Sequence, residues 1–254
     1  MMRIDVADEQ LASPVGRVSP LLKLGIALVW FVGLFLTTEI LPSVVLAAIA
    51  VLLATVLGYV PGRVLVFGVA PLWLAALSIG LFNGLFSPAN SDPGMAQLAM
   101  LGPFRLTEAG VLAGLGLGAR VVAIAAVGVL FAQTTDATRL MDSLIQQGRL
   151  PERFGYGALA AYQAVPRFAE DLSTLRHARR IRGLRGGWHP RLLVGLLILA
   201  IRHGDRLALA MDARGFGSGP RSMYRSVRWG WVDVGAVIVG AVVLAIIVAL
   251  PRFV

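Results

Sequence analysis

Long apolar stretches dominate this chain, cut by short polar punctuation. The first runs from about Leu21 to Thr37 and gives way at Thr37-Thr38-Glu39. A second covers about Ile40 to Tyr59 and ends on Tyr59-Val60-Pro61-Gly62-Arg63, a Pro/Gly turn. A third spans about Val64 to Phe86. A loop over Ser87–Thr107 follows, with Asn90, Asp92, Pro93 and Pro103 around an amphipathic middle. A fourth run spans about Glu108 to Gln133, and the last about Trp231 to Leu250, opened by Trp229 and Trp231. Indoles favour the membrane–water interface. A helix needs about 20 apolar residues to cross the hydrocarbon. The pattern therefore predicts five membrane helices.

Between the fourth and fifth runs the period turns amphipathic. Thr135 to Gln147 reads as a short helix, with Thr134/Thr135 as its N-cap region and Gly148 after it. Leu150-Pro151-Glu152 opens a longer one, with Pro in the first turn. It runs to Gly183 with a kink expected at Pro166. Its stripe is Phe168, Leu172, Leu175, Ala178 and Ile181, while Arg167 pairs with Glu170 and Asp171 on the other face. Gly183, Gly186 and Gly187 end it. His189-Pro190 opens another helix to about Arg214, with the stripe Leu193, Leu197, Ile201, Gly204, Ala208 and Met211. Arg202, Asp205, Arg206 and Asp212 lie off that stripe, and Gly215, Gly217 and Gly219-Pro220 terminate the helix. The expected fold is an all-α polytopic membrane protein. It divides into a lead (1–20), a four-helix transmembrane region (21–133), an amphipathic-helix region (134–230) and a final membrane helix (231–254).

Composition agrees with a membrane class: mean hydropathy is +0.78 and 57% of residues are hydrophobic. The net charge of +9 is local, because Arg139 to Arg228 holds sixteen of the 23 Lys/Arg and six of the 14 Asp/Glu. Basic loops face the cytoplasm. Arg63 and the 139–230 block then lie inside, while Arg105 stands against Glu39, Asp92 and Glu108 outside. This predicts a cytoplasmic N-terminus and an outward C-terminus. Residues 1–20 mix Arg3 and Arg17 with Asp5, Asp8 and Glu9 around Ser13-Pro14 and Ser19-Pro20. They read as a short cytoplasmic lead without a cleavable signal. The basic block also suits anionic headgroups. A nucleic-acid role is disfavoured by its apolar stripes and the lack of a binding motif.

Several chemistries are excluded or weakened. There is no Cys, and His177, His189 and His203 are far apart, which argues against a His-based metal site. Lys23 is the only Lys, and its Leu-Leu-Lys-Leu context is no phosphate loop. Met211-Asp212-Ala213-Arg214 shares a fragment with CDP-alcohol phosphotransferases, but Asp212 is followed directly by Ala213 and the downstream aspartates are missing. Asp205 and Asp212 are two turns apart, too far for one metal. No catalytic or metal-ligating residues are expected.

Gly110-x-x-x-Gly114-x-x-x-Gly118 lines one helix face for close approach. It serves either packing inside the chain or a sliding surface for a second membrane subunit. Arg120 in the same span carries an insertion cost of roughly 2.5–3.5 kcal/mol. It needs a structural partner, a snorkel path or a substrate, and Glu108 is too distant to pair with it. The two long amphipathic helices both finish on Arg-Gly: Ile181-Arg182-Gly183 and Ala213-Arg214-Gly215. Gly permits the left-handed cap and the macrodipole favours the Arg. One such end is ordinary; two in succession suggest planar forks presented to a groove.

At these residues the chain resembles the transmembrane coupling subunit, or T component (EcfT, CbiQ and BioN type), of energy-coupling-factor ABC importers. The resemblance covers nearly the whole length. It starts with Ser19-Pro20-Leu21-Leu22-Lys23-Leu24 and continues through Thr134-Thr135 and Leu150-Pro151. It is strongest over Val165-Pro166-Arg167-Phe168 to Ala178-Arg179-Arg180-Ile181-Arg182-Gly183, and over Ala210-Met211-Asp212-Ala213-Arg214-Gly215-Phe216. The first Ala-Arg-Gly motif departs from the family, since Ile181 stands where Ala is usual.

The resemblance implies a transporter subunit without catalysis or cofactor of its own, with ATP and Mg held by two cytoplasmic P-loop ATPase subunits. Arg182, Gly183, Ala213, Arg214 and Gly215 would dock those ATPases, with Ala178 and Arg179 as further candidates. Arg182 is favoured over Arg179 because it precedes the Gly and ends the helix. Phe168, Leu172, Leu175, Leu193, Leu197, Ile201 and Met211 would face a membrane-embedded substrate-binding S component that takes up a vitamin or metal ion. The competing readings are a lipid-substrate transferase and an anionic-lipid-binding scaffold.

Overall fold

Apolar runs that must satisfy every backbone polar group internally fold as helices, and each expected span is one. The computed structural model describes residues 8–250 apart from 38, 92–93, 95–96, 102–103, 185–188, 220–222, 224 and 228. Arg3, Asp5, Thr38, Asp92, Pro93, Pro103, Gly186, Gly187, Pro220 and Arg228 thus lie outside the described residues. Two compact units form: residues 1–140 with 228–254, and residues 141–227.

The first unit opens with short helices α1 (Asp8–Ala12) and α2 (Pro14–Arg17), the latter capped by the buried Ser13 hydroxyl, which accepts from the Gly16 amide at 2.9 Å. The helices on the five apolar runs are α3 (Pro20–Phe35), α4 (Ile40–Leu52, extended by a π turn over Leu53–Leu57), α5 (Gly62–Leu85), α6 (Glu108–Thr134) and α10 (Trp231–Ala249). The last four are long and apolar enough to cross a membrane, while α3 has only 16 residues. Their shared core holds Trp30, Leu34, Leu46, Val127 and Ile247. One feature is not helical: Gln97–Leu101 (β1) and Phe104–Thr107 (β2) pair antiparallel inside the expected loop. At the foot of that hairpin, buried Asn90 donates to the Gly84 and Leu85 carbonyls and accepts from the Thr107 amide and hydroxyl. One side chain therefore serves the end of α5 and the start of α6.

The glycine stripe of α6 is spent inside the chain. A Cβ on Gly118 would meet the Ala76 carbonyl at 3.1 Å, one on Gly80 would meet Gly114, and one on Gly84 would meet Gly110. Ala76, Gly80 and Gly84 form the matching small-residue face of α5, and the two helices run antiparallel in near-backbone contact. Arg120 is also engaged internally. Its guanidinium donates to the Thr37 carbonyl just beyond α3 and lies over the Phe35 ring, 5.9 Å from the centroid. It closes a helix C-terminus, where the macrodipole favours a cation.

Helices α3 and α10 are parallel neighbours: Ile26 packs on Gly240, and Gly33 on Leu244 and Ile247. The Trp30 indole donates to the Gly240 carbonyl at 3.0 Å. Asp233, 3% exposed, accepts from the Ser19 amide at 2.7 Å and the Gly230 amide at 2.8 Å. One carboxylate thus joins the N-terminal ends of the two helices, which also favour negative charge. Lys23 Nζ donates to the Thr134 carbonyl at 2.6 Å, bringing the end of α6 to the start of α3. So α6 ends, and α10 begins, at one end of the bundle. We expect Asp233→Ala to strand both amides and cost about 2–5 kcal/mol. Its thermal unfolding midpoint in detergent should fall by several degrees, and an unchanged midpoint would refute the pin.

α7 (Ala137–Gln146) lies at the junction of the two units. Its cap is Asp136, whose carboxylate accepts from the Arg139 amide at 3.0 Å. The Thr134/Thr135 expectation is therefore corrected: Thr134 is the last residue of α6, and Thr135 follows as its C-cap. The second unit contains α8 (Glu152–Ile181) and α9 (Pro190–Ala213). α8 continues as one helix through Pro166.

Candidate functional site

The two Arg-Gly ends adopt the same geometry. Arg182 caps α8 and Gly183 follows at φ +75°; Arg214 caps α9 and Gly215 follows at φ +67°. The Leu184 amide reaches back to the Arg179 carbonyl (3.2 Å) and the Gly183 amide to Arg180 (3.1 Å). Likewise the Phe216 amide reaches Met211 and the Gly215 amide Asp212, both at 2.9 Å. Both are complete Schellman motifs, which need a left-handed residue and so select Gly. Each places its Arg at the C-cap, directly after the last helical residue, and both side chains are exposed. Ile181 beside Arg182 is 87% exposed. Arg179, the other candidate, is half-buried, and so is Ala178, whereas Ala213 is exposed.

α8 and α9 pair antiparallel. The Phe168 ring meets His203 edge-on at 6.5 Å, Leu175 lies against Gly195, and Tyr156 meets Phe216 at 6.4 Å. Arg182 and Arg214 therefore sit at opposite ends of the pair. At about 1.5 Å per residue the ends are roughly 35–40 Å apart. An open cleft of about 580 Å³ separates the helices over Tyr156–Arg167 and His203–Phe216.

The apolar residues divide into two sets. Phe168, Leu172, Leu175 and Met211 are half-buried. Leu193, Leu197 and Ile201 are 51–60% exposed, and Val194 and Ile198 beside them are exposed too. The face of α9 that is covered is Leu192, Leu196, Leu199, His203, Leu207 and Met211. The stripe expected through Gly204 and Ala208 is thus one position out of phase with the packed face, because α9 is apolar on two faces in its first half. Asp205 and Asp212 are both exposed, and no group of three or more His, Asp or Glu gathers among the described residues.

Sequence reasoning missed the support beneath the second end. Arg153, in the first turn of α8, donates to the Gly217 carbonyl at 3.0 Å. The only hint was the second glycine in Arg214-Gly215-Phe216-Gly217.

These features define a multi-pass helical membrane protein with an amphipathic helix pair inserted before its last membrane helix. The chain belongs to the CbiQ family: the family model described as a cobalt transport protein matches residues 15–226. It is 30% identical over 225 residues to the energy-coupling factor transporter transmembrane protein EcfT of Heliobacterium modesticaldum, covering 82% of each chain. It is 25% identical to EcfT of Streptococcus equi, over 89% of this chain and 88% of the relative. Against the transmembrane protein BioN of Rhizobium etli it is 26% identical, over 80% of this chain and 92% of that one. The chain is accordingly an energy-coupling factor transporter T component.

Proposed function

We propose that this T component is a non-catalytic coupling subunit that grips two cytoplasmic ATPases through Arg182 and Arg214. The observation that carries this reading is the pair of exposed, identically built Arg caps at opposite ends of one antiparallel helix pair. A separation of roughly 35–40 Å is too large for one groove and suits two partner subunits. The Arg surplus between residues 139 and 228 supports placing the pair, and the N-terminus, in the cytoplasm.

ATP and Mg bind in the partners. Closing of the two ATPases changes the separation of their grooves. Arg182 and Arg214 follow, and α8 shears along α9. The exposed face Leu193–Leu197–Ile201 is a patch too apolar to stay bare. It carries a membrane-embedded S component, which reorients and releases a vitamin or metal ion inward. Such motion requires differential contact in the ATP-bound and ATP-free states.

The test is co-purification of the tagged chain in detergent with the two P-loop ATPases encoded nearest its gene. ATP hydrolysis should co-elute with it. A chain that elutes without ATPase, yet binds phosphatidylserine vesicles, would replace this reading with the lipid scaffold.

A further inference from the structure

The turn after Arg214 is held by the opposite end of α8. Arg153 donates to the Gly217 carbonyl at 3.0 Å. Three residues on, Tyr156 packs edge-on against Phe216, ring centroids 6.4 Å apart at 73°, and its hydroxyl lies 3.7 Å from Met223 Sδ. Three features show that this contact is built rather than incidental. A cation in the first turn of a helix opposes the macrodipole, so Arg153 is disfavoured there unless it serves elsewhere. The Schellman cap needs only Gly215; Gly217 is a second left-handed residue, at φ +80°. A Cβ at position 217 would stand 2.6 Å from Arg153 Nε, so the guanidinium in its present place uses the bare Cα of a glycine. At the first Arg-Gly end, among the described residues, a Cβ on Gly183 would meet nothing within 4 Å.

We propose that Arg153 and Tyr156 are positioning residues that fix the aim of Arg214 by bracing the Gly215–Gly217 turn against α8. The inference rests on Arg214 being a docking residue. The Arg214 end is preorganised by this brace and loses little freedom on binding. Arg153 need not touch the ATPase itself.

The experiment is a double-mutant cycle. The chain is titrated in detergent with the two P-loop ATPases encoded nearest its gene. In an Arg182→Ala background, Arg153→Ala should weaken binding about fivefold to tenfold. Gly217→Ala should do the same, and so should Tyr156→Ala, which takes the ring away from Phe216. In an Arg214→Ala background, Arg153→Ala should cost nothing further. Equal losses in both backgrounds, or no loss in the first, would overturn the brace. An Arg214→Ala chain that binds like wild type would instead overturn the docking reading. The brace keeps its own readout, amide exchange over residues 214–219 of the chain alone. Exchange that is about tenfold faster in Arg153→Ala supports the brace, and unchanged exchange removes it.

Discussion

A leucine at position 114 is expected to force α5 and α6 apart and to cost the membrane unit about 3 kcal/mol or more. A Cβ there would stand 2.8 Å from the Gly84 amide nitrogen and 2.9 Å from its Cα, so α5 backbone, not a side chain, must move. In lipid no hydrophobic force drives helices together, and close backbone packing carries much of the association. Losing it over three consecutive small-residue contacts should propagate along Gly110–Gly118. Gly128→Leu is the matched control, because a Cβ there meets nothing within 4 Å on the same helix. Unfolding in detergent should separate the two variants clearly. Equal midpoints would show that the glycine contact does not hold the pair.

The second large effect concerns docking. Arg182→Ala and Arg214→Ala should each weaken ATPase association by about 2–5 kcal/mol, the range for truncating one partner of a buried charge pair. That is roughly thirtyfold or more. The double variant should retain no ATPase. Lys at either position should not restore binding, since an ammonium cannot reproduce the planar fork. Both side chains are exposed at helix ends, so the variants should still insert and run as folded chains on gel filtration in detergent, which separates lost docking from misfolding. Retention of the ATPases by the double variant would sink the docking reading.

What could be read in advance was local. Apolar run length placed the five helices to within a few residues, four of them long enough to span, because backbone polarity in lipid leaves no other solution. The Arg-Gly ends were legible because a Schellman cap selects Gly at one position. Pairing was not local, and there the pattern ran out. The glycines of α6 announced a close contact but not its partner. The answer, Ala76-x-x-x-Gly80-x-x-x-Gly84, has the same spacing and was overlooked in a run rich in large apolar residues. The hairpin of β1 and β2 is too short to establish an alternation. In α9, apolar residues on two faces hid which one packs, and His203 disguised the covered one. Asp233 reads as an ordinary first-turn acid; its second bond reaches an amide 214 residues earlier.

That last separation bears on how the protein is made. Synthesis at about 5–20 residues per second leaves α3 in the bilayer for some ten seconds or more before Asp233 exists. Throughout that interval the Ser19 amide and the glycine face that later receives Leu244 have no native partner. α3 is therefore tied first to α6, through Lys23 and Arg120, and pinned to α10 only at the end. The bundle closes only after the whole helix hairpin has left the ribosome, so the nascent chain passes through an open four-helix stage that the insertion machinery or neighbouring lipid must shelter.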